Sequence, residues 1–548
     1  MDLRSQISSI LQGDAMDDAE TLKRFSRDTS IFERTPALVV YPKNPEDLAK
    51  LVQFAHDEKE SGKNISLAAR SGGSDMTGGP LTDSIAVVFT KYMNRLLEIG
   101  DDYAVVEPGM YYRDFEKQTL AHGELLLPPY PASRELCALG GMLANNSGGE
   151  LTLKYGKINS YIREMEVVLS DGSRTTLRPL SMSELAQKES QQTLEGKIYR
   201  EIHALIENNR DAIEAARPNV TKNSAGYALW NVFDKKREMF DLSQLICGSQ
   251  GTLAFITSAR VKLVQRKNNR AMLVIFLSDM EIIPEVVRRV LQYSPESFES
   301  YDDKTWKLAV RFIPQIIGHL GILRMIALGF AFIPDILLAL RGNVPKLVLM
   351  AEFAEDSMEE AREKAREAES ALLGLHVRTK IASNEAHVAK YWTIRRESFN
   401  LLRKNLRGLH AAPFIDDIVV HPNDYPKFLP ELNALLDEHH LLYTIAGHAG
   451  DANFHIIPLM DLAKPESRKA ILELQPRVYT LVAKYHGSIT GEHNDGIIRT
   501  PYLPIMFGEK VCGLFAQVKN IFDPLNIFNP GKKVGGTIAD IEKSMLHK

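Results

Sequence analysis

One glycine-rich loop, Arg70-Ser-Gly-Gly-Ser-Asp-Met-Thr-Gly-Gly79, constrains the fold more than any other stretch of this sequence. It carries four glycines within ten residues and follows the short apolar stretch Ile65-Ser-Leu67. Glycine adopts backbone dihedrals that other residues avoid, so such a loop can bring N–H groups close to an anion. The loop is neither a Walker A loop nor the G-x-G-x-x-G turn of a Rossmann unit. Taken alone, it is equally typical of a plain flexible loop.

Paired glycines recur further along the chain. The stretch Cys137-Ala-Leu-Gly-Gly-Met-Leu-Ala-Asn-Asn-Ser-Gly-Gly149 contains two pairs and follows Pro128-Pro-Tyr-Pro131. Lys154-Tyr-Gly156 and Gly248-Ser-Gln-Gly-Thr-Leu253 complete the set. Repeated paired glycines indicate repeated close approach of the backbone to one large, flat ligand, and a dinucleotide fits this description.

Apolar strands and helices alternate along most of the chain. Residues 1–35 are expected to form a polar helical lead-in, and an α/β texture then runs to about residue 264. A second region follows in which strands and helices interleave, which favours an α+β domain with an antiparallel sheet. Strands are expected at residues 37–41, 85–89, 103–107, 272–277, 347–352, 443–446 and 454–458.

Two helices carry local signals. The first is expected over residues 45–58, with Asn44 as its cap and Pro45 in its first turn. The second is the charged stretch 356–373, which is typical of a helix with a solvated face. Glu360 and Lys364 are expected to pair on it, because residues four apart are neighbours on a helix.

Composition excludes several classes of protein. The 548 residues are enough for two to four domains, and the net charge of -4 gives no basic field for nucleic acid. Cys137, Cys247 and Cys512 are too far apart for a disulfide framework or for an iron–sulfur cluster ligated by this chain alone. The first twenty residues are polar and lack the pattern of a signal peptide. A reducing compartment, the cytoplasm, is therefore expected.

Histidines cluster in two glycine-containing motifs, His448-Ala-Gly-Asp-Ala-Asn-Phe-His455 and Gly487-Ser-Ile-Thr-Gly-Glu-His-Asn-Asp-Gly496. Asn453 and His455 would share one face of a strand, and the turn-forming residues before them can bring His448 alongside. Two histidines and a glutamate are good ligands for a first-row divalent ion. A lone histidine is more often a satisfied structural residue, but this clustering favours a metal site.

Together these motifs resemble the vanillyl-alcohol oxidase and p-cresol methylhydroxylase superfamily, in its branch of D-lactate, D-2-hydroxyglutarate and glycolate dehydrogenases. The resemblance extends from about Ala37 to Lys533. It implies an α+β fold, with a two-part FAD-binding (PCMH-type) domain and a ferredoxin-like α+β substrate (cap) domain with an antiparallel sheet. The implied division is a lead-in (1–35), the FAD-binding domain (36–266), the substrate domain (267–500) with an apolar insertion at about 307–345, and a C-terminal segment returning to the FAD domain (501–548).

The resemblance also implies a set of FAD-binding residues. Ser71 to Asp75 would cradle the pyrophosphate, and Ile256 would lie near the adenine. Relatives that bind flavin covalently carry a histidine where this chain has Ser74, so the FAD is expected to be non-covalent. The full implied set is Arg70, Ser71, Gly72, Gly73, Ser74, Asp75, Pro129, Gly140, Gly141, Asn145, Gly148, Ile256 and Asn529.

For the second half, the resemblance implies a zinc or manganese site and a base. The ligands would be His448, His455 and Glu492, with Asn453 adjacent on the substrate side, and His493 would take the proton of the substrate hydroxyl. Hydride would then pass from C2 of the substrate to flavin N5. The family motif His-x-Gly-Asp-Gly-Asn is altered here, because Ala452 replaces its last glycine.

Substrate binding is implied at Arg395, which matches the carboxylate-binding arginine of the family, with Arg396 as the alternative. Hydroxyglutarate specialists add a threonine and a lysine, where this chain has Phe399 and, at about the other position, Ile415. Two apolar residues favour D-lactate, a longer apolar 2-hydroxy acid or glycolate. D-2-hydroxyglutarate, a lyase-type relative such as the alkyl-ether lipid synthases, and a redox-complex subunit remain alternatives.

The sequence constrains the binding partners of this protein less than it constrains the cofactors. The electron acceptor is expected to be a quinone, a cytochrome, an electron-transfer flavoprotein or a separate iron–sulfur subunit, and a homodimer is left open. Residues 312–340 are apolar, and the only charges from 304 to 333 are basic. This segment is expected either to pack as buried helices or to dock peripherally on the inner membrane, since Arg324 makes a span costly.

Overall fold

The computed structural model of the protein describes residues 2–303, 345–382, 388–389, 391–395, 409–439 and 441–547. Arg396, Phe399 and nearly all of the apolar insertion at 307–345 lie outside the described residues, so the expectations about them stay predictions. In the described part of the chain, no helix is both long enough and apolar enough to cross a bilayer.

A small, mostly parallel sheet carries the glycine-rich loop. Its order is β1-β2-β4-β3, in which β2 and β3 run parallel to β4, and β1 pairs antiparallel with β2. The strand β1 lies inside the segment expected to be helical, between two helices. The strands are β1 (Asp14–Met16), β2 (Leu38–Tyr41), β3 (Leu67–Arg70) and β4 (Ile85–Val88), and the flanking helices are Leu3–Ile10, Ala19–Phe25 and Pro45–Glu60.

The helix Pro45–Glu60 explains how this sheet is covered. Asn44 caps it as predicted, accepting a hydrogen bond from the Asp47 backbone N–H. Leu48, Leu51, Val52 and Ala55 recur at helical spacing and are fully buried against the sheet.

The second sheet of this half is antiparallel, in the order β5-β6-β13-β8-β9. Two small sheets complete the half. The strands are β5 (Leu96–Ile99), β6 (Tyr103–Val106), β7 (Leu125–Leu126), β8 (Ile162–Val168), β9 (Arg174–Leu177), β10 (Leu180–Ser181), β11 (Phe233–Asp234), β12 (Met239–Phe240), β13 (Phe255–Lys262) and β14 (Val264–Gln265).

An eight-stranded antiparallel sheet forms the other half, which confirms the predicted sheet type. The order is β18-β15-β17-β16-β21-β22-β19, and β20 pairs with β22. Its strands are β15 (Asn269–Leu277), β16 (Ser297–Asp302), β17 (Leu347–Glu355), β18 (Arg378–Ala382), β19 (His410–Ala411), β20 (Ile418–Val419), β21 (Leu442–His448) and β22 (Asn453–Met460), and its helices are Ile283–Leu291, Met358–Ala371, Tyr425–Glu438 and Pro465–Lys484.

The charged helix Met358–Ala371 packs on this sheet through buried alanines and leaves its charges outside. The predicted pair between Glu360 and Lys364 was wrong. Glu360 instead closes a capping box with Ser357, and Lys364 binds Glu355 with Nζ 2.6 Å from Oε1. Glu355, at the end of β17, offers Lys364 a carboxylate that local spacing does not reveal.

The C-terminal chain returns to the glycine-rich loop. The Leu67 backbone N–H donates to Ile527, and the Asn529 N–H donates to Leu67, so this segment runs beside β3. The three cysteines are free, as expected. The remaining helices are Tyr112–Gly123, Leu139–Asn145, Thr152–Tyr155, Met182–Glu189, Leu194–Asn208, Arg210–Ala216, Ser243–Ile246, Gly496–Arg499, Leu503–Phe522 and Ile538–Ser544.

Candidate active site

The glycine-rich loop leaves a row of backbone donors available. It begins directly after β3, at the carboxyl end of a parallel strand. None of residues 71–76 donates its backbone N–H to an acceptor in the described part of the chain, and all are partly buried. Gly73 has a φ of +69°, which a side chain disfavours. Consecutive N–H groups without protein acceptors fit the pyrophosphate of FAD.

Asp75 holds the end of this loop. Its Oδ2 accepts from the backbone N–H groups of Thr77 and Gly79, at 3.1 and 2.7 Å, and its Oδ1 accepts from the side-chain amide of Asn145 at 3.2 Å. Burial and the nearby charge of Asp75 raise the pKa of Asp28 to about 7. The carboxylate of Asp75 therefore holds the end of the loop, while the backbone N–H groups of residues 71–76 have no acceptor among the described residues.

The other residues predicted to bind FAD are spread over several elements. Asn529 donates its amide to the carbonyls of Gly79 and Gln250, and its Oδ1 is buried without a partner among the described residues. Arg70 instead binds the N-terminal segment, donating to the carbonyls of Phe25 and Arg27. Gly140 and Gly141 lie in helix Leu139–Asn145, Pro129 accepts from the Ser147 hydroxyl, and Ile256 is buried in β13.

The hairpin of β21 and β22 brings the first histidine motif together as predicted. A single 3-10 turn, Ala449–Asp451, joins the strands, and the rings of His448 and His455 lie 5.2 Å apart. Ala452 adopts a φ of +52°, the left-handed conformation for which the family uses glycine. Asn453 is buried and leaves its Oδ1 without a partner among the described residues.

The second motif is held by Asp417. Its Oδ2 accepts from the backbone N–H groups of Glu492 and His493, at 2.8 and 2.7 Å, and its Oδ1 accepts from the Asn453 amide at 3.0 Å. Asp417 itself has a φ of +68°. This one carboxylate thus ties the glutamate, the histidine and the first motif into a single unit.

The predicted ligand atoms converge. Those of His448, His455 and Glu492 all lie within 4.8 Å of one another, as do those of Asp416, His455 and His493 and those of Asp417, Glu492 and His493. Imidazole nitrogens and carboxylate oxygens suit zinc or manganese. The donor set therefore fits a divalent cation.

Buried carboxylates surround the histidines of this cluster. Burial lowers the pKa of His493, but the charges of Asp417 and Asp416 outweigh it and raise that pKa to about 9. Burial and the charge of Lys222 lower the pKa of His448, but the carboxylates of Glu299 and Glu492 outweigh them and raise that pKa to about 9. The same carboxylates would favour a divalent cation in place of the histidine protons, and a bound cation would lower both pKa values again.

Glu299 connects this cluster to the predicted carboxylate-binding arginine. It is buried on β16, with Oε1 2.5 Å from His448 Nδ1 and Oε2 3.3 Å from Arg395 Nε. Gly148, in the second glycine-containing stretch (residues 137–149), adjoins the same cluster, since a Cβ atom on it would lie 3.5 Å from Glu492 Oε1. Residues from the predicted FAD-binding, metal-binding and substrate-binding sets thus lie next to one another.

Sequence reasoning missed several buried charged residues of this site, among them Lys222, Glu299, Asp416 and Asp417. Acidic residues inside the apolar run Phe414-Ile-Asp-Asp-Ile-Val-Val420 are a signal that could have been used, because a buried charge requires a partner. Lys222 lies fully buried, with its Nζ 2.6 Å from Glu492 Oε1.

Comparisons with protein families match both halves. A family model described as FAD binding domain matches residues 36–178, and one described as FAD linked oxidases, C-terminal domain, matches residues 266–533. Together they match most of the chain.

Similar proteins are mostly dehydrogenases. The D-2-hydroxyglutarate dehydrogenase of Escherichia coli (strain K12) is 28% identical over 517 residues, which cover 92% of this chain and 49% of that protein. The D-lactate dehydrogenase of Archaeoglobus fulgidus is 27% identical, over 92% of this chain and 95% of that one. The glycolate oxidase subunit GlcD of Bacillus subtilis (strain 168) is 23% identical, over 97% and 96%. The chain spans about half the length of the Escherichia coli protein and of three similar D-2-hydroxyglutarate dehydrogenases.

Solved structures confirm the fold. The 4-ethylphenol oxidase from Gulosibacter chungangensis superposes with a TM-score of 0.69 at 16% identity, over 98% of this chain and 97% of that one. The p-cresol methylhydroxylase gives 0.66 at 15% identity, over 98% and 96%. An alkyldihydroxyacetonephosphate synthase gives 0.64 at 16% identity, over 94% and 82%. The predicted fold class is therefore correct.

Proposed function

Because this chain carries an FAD binding domain and a C-terminal domain of FAD linked oxidases, we propose that it is an FAD-dependent dehydrogenase of D-2-hydroxy acids. The observation that carries the proposal is the convergence of His448, His455, Glu492 and His493 beside Gly148 and Arg395. The product is the corresponding 2-oxo acid. The preferred substrate is D-lactate or a similar acid with a small or apolar side chain.

Each part of the site has one task. The N–H groups of residues 71–76 would hold the pyrophosphate of FAD, which would supply the hydride acceptor when bound. His448, His455 and Glu492 would hold a zinc or manganese ion, which would supply a Lewis acid for the substrate hydroxyl. His493 accepts the hydroxyl proton at Nε2. Arg395 binds the substrate carboxylate, and Asn453 Oδ1, which is buried without a partner among the described residues, is available to the substrate.

The preference for an apolar side chain is supported by the sheet face near Arg395. Met272, Tyr301 and Met350 are buried there in one cluster with Tyr391 and Trp392. Ile415, at about the position where hydroxyglutarate specialists carry a lysine, is also buried. D-2-hydroxyglutarate is the second candidate, favoured by the D-2-hydroxyglutarate dehydrogenases among the similar proteins.

A panel of acids tests the proposal. Purified protein is mixed anaerobically with D-lactate, L-lactate, glycolate and D-2-hydroxyglutarate, and the flavin absorbance is followed. We expect D-lactate to bleach the flavin fastest and chelator treatment to abolish the bleaching, with zinc or manganese restoring it. A bound flavin that no hydroxy acid bleaches contradicts the proposal and favours the lyase-type or complex-subunit alternatives.

The flavin is expected to be non-covalent. Ser74 stands where covalent relatives carry the linking histidine, and a serine hydroxyl is a poor nucleophile without an adjacent base. After acid precipitation, we expect all the yellow colour in the supernatant. Colour that stays in the washed pellet would show a covalent bond and disprove this prediction.

Arg395 is expected to set substrate affinity. Its replacement by methionine removes a charge-assisted, bidentate partner of the carboxylate, so kcat/KM should fall about 10–100-fold, mainly through KM. Arg396→Met is the matched control, because the two arginines are neighbours in the sequence. An effect confined to Arg396→Met would transfer the role to that residue.

The electrons are proposed to leave for a quinone, a cytochrome, an electron-transfer flavoprotein or a separate iron–sulfur subunit. The basic, apolar segment at 307–345 supports peripheral docking on a membrane near a quinone pool. Flotation with anionic liposomes tests the docking, and protein that stays wholly in the soluble fraction argues against it.

A homodimer remains a proposal to be checked by mass measurement in solution.

A further inference from the structure

Asp416 lies between the two histidines that the proposed function treats separately. Its carboxylate is buried, and Oδ1 forms a 3.1 Å hydrogen bond with His455 Nδ1. Oδ2 lies 3.1 Å from His493 Nδ1, an ion-pair contact without hydrogen-bond geometry, and neither of these two atoms has a hydrogen-bond partner among the described residues. The two rings stack, with centroids 5.3 Å apart and planes inclined by 24°. The carboxylate of Asp416 therefore lies beside Nδ1 of His455, a predicted metal ligand, and beside Nδ1 of His493, the predicted base.

The backbone around Asp416 is rigidly held. Arg499 is fully buried and donates to the Asp416 carbonyl at 2.6 Å, and further to the carbonyls of Asn494 and Ile489. The next residue, Asp417, binds the backbone N–H groups that precede and carry the His493 ring. The backbone of Asp416 is thus fixed relative to His493 by bonds that do not involve the Asp416 carboxylate.

A carboxylate beside Nδ1 determines the tautomer of a histidine, and so whether Nε2 carries a proton or a lone pair. It holds the proton on Nδ1, so Nε2 presents a lone pair, either to a metal or to a substrate proton. We propose that Asp416 is a shared positioning residue, which directs Nε2 of His455 toward the cation and Nε2 of His493 toward the substrate hydroxyl. This inference rests on the proposed function and adds a residue that orients two of its members at once.

Asp416→Asn tests the proposal, because an amide has one acceptor oxygen and can serve only one of the two rings. Zinc affinity is measured on FAD-loaded, metal-stripped protein by competition with a chromophoric chelator, and flavin reduction is measured separately in excess zinc. We expect zinc affinity, the rate constant of flavin reduction, or both to fall about 10–100-fold, with KM for the acid changed less than about 3-fold. Asp424→Asn, in the partly exposed turn that follows, is the matched control and should match the wild type in both measurements.

Asp416→Glu separates orientation from folding. It keeps two acceptor oxygens, so we expect part of the zinc affinity to return, and this variant decides the matter if the asparagine variant does not retain FAD. Unchanged zinc affinity and unchanged flavin reduction in Asp416→Asn would overturn the inference and leave the proposed function standing. A wild-type flavin that no hydroxy acid reduces would overturn the proposed function, whereas the zinc affinities would still decide the role of Asp416 toward His455.

Discussion

Replacement of His493 by alanine is expected to slow reduction of the bound flavin by a D-2-hydroxy acid about 10²–10⁴-fold, the usual contribution of a placed general base. The reason lies in the position of His493, one residue after Glu492 and within the same cluster as His455. Its removal leaves the hydroxyl proton without an acceptor. The measurement is the rate constant of flavin bleaching in anaerobic stopped flow at saturating acid.

His410→Ala is the matched control for this variant, since His410 is exposed on β19 of the same sheet. It should reduce its flavin at the wild-type rate. FAD content must be equal in all three proteins, so that the comparison concerns proton transfer and not cofactor loss. A His493→Ala protein within about 3-fold of the wild type would remove His493 from the proposed mechanism.

The second large effect is expected on stability, at Lys222. Its Nζ lies 2.6 Å from Glu492 Oε1, 3.2 Å from Asp451 Oδ2 and 3.2 Å from the Gly149 carbonyl oxygen. Burial lowers the pKa of Lys222, but Asp451 and Glu492 outweigh burial and raise it, so the side chain is a cation. Lys222→Met keeps the volume and removes the charge, leaving two buried carboxylates without this partner. The free energy of unfolding should fall by about 3–5 kcal/mol.

The measurement is urea denaturation of the FAD-loaded protein, followed by circular dichroism. Lys469→Met serves as the control, because Lys469 is exposed and its pair with Glu473 is a surface pair. That variant should change stability by less than about 1 kcal/mol. The double variant Lys222→Met, Glu492→Gln should recover part of the loss, since it removes one of the stranded charges. Equal urea midpoints for Lys222→Met and the wild type would show that Lys222 and its buried partners add nothing to the free energy of unfolding.

Local signals predicted much of this fold. The cap at Asn44, the strands near the glycine-rich loop and the convergence of His448 with His455 all follow from neighbours in the sequence. Each of these depends on a turn, a cap or a two-residue period, and the chain alone contains that information. The division of the chain into a lead-in, two domains and a returning segment stays a prediction.

Long-range partners were not predictable in the same way. Glu299 reaches His448 across 149 positions, and Lys222 reaches Glu492 across 270. A carboxylate within an apolar strand indicates only that some partner exists, and strand order decides which one. The wrong pairing of Glu360 with Lys364 has a different origin: Glu355 is only nine positions before Lys364, but it lies at the end of β17, outside the helix whose four-residue spacing was used.

The ammonium of Lys222 contacts the carbonyl of Gly149, which follows Gly148 of the predicted FAD-binding set, and the carboxylate of Glu492, in the predicted cation site. Occupation of either site therefore changes the electrostatic environment of the same charged group. Thermodynamic linkage then requires reciprocity: whatever factor flavin loading contributes to the cation's affinity, cation loading contributes to the flavin's. If the proposed cation binds, it and FAD are coupled ligands of one protein, and depletion of either one would change the retention of the other by the same free energy.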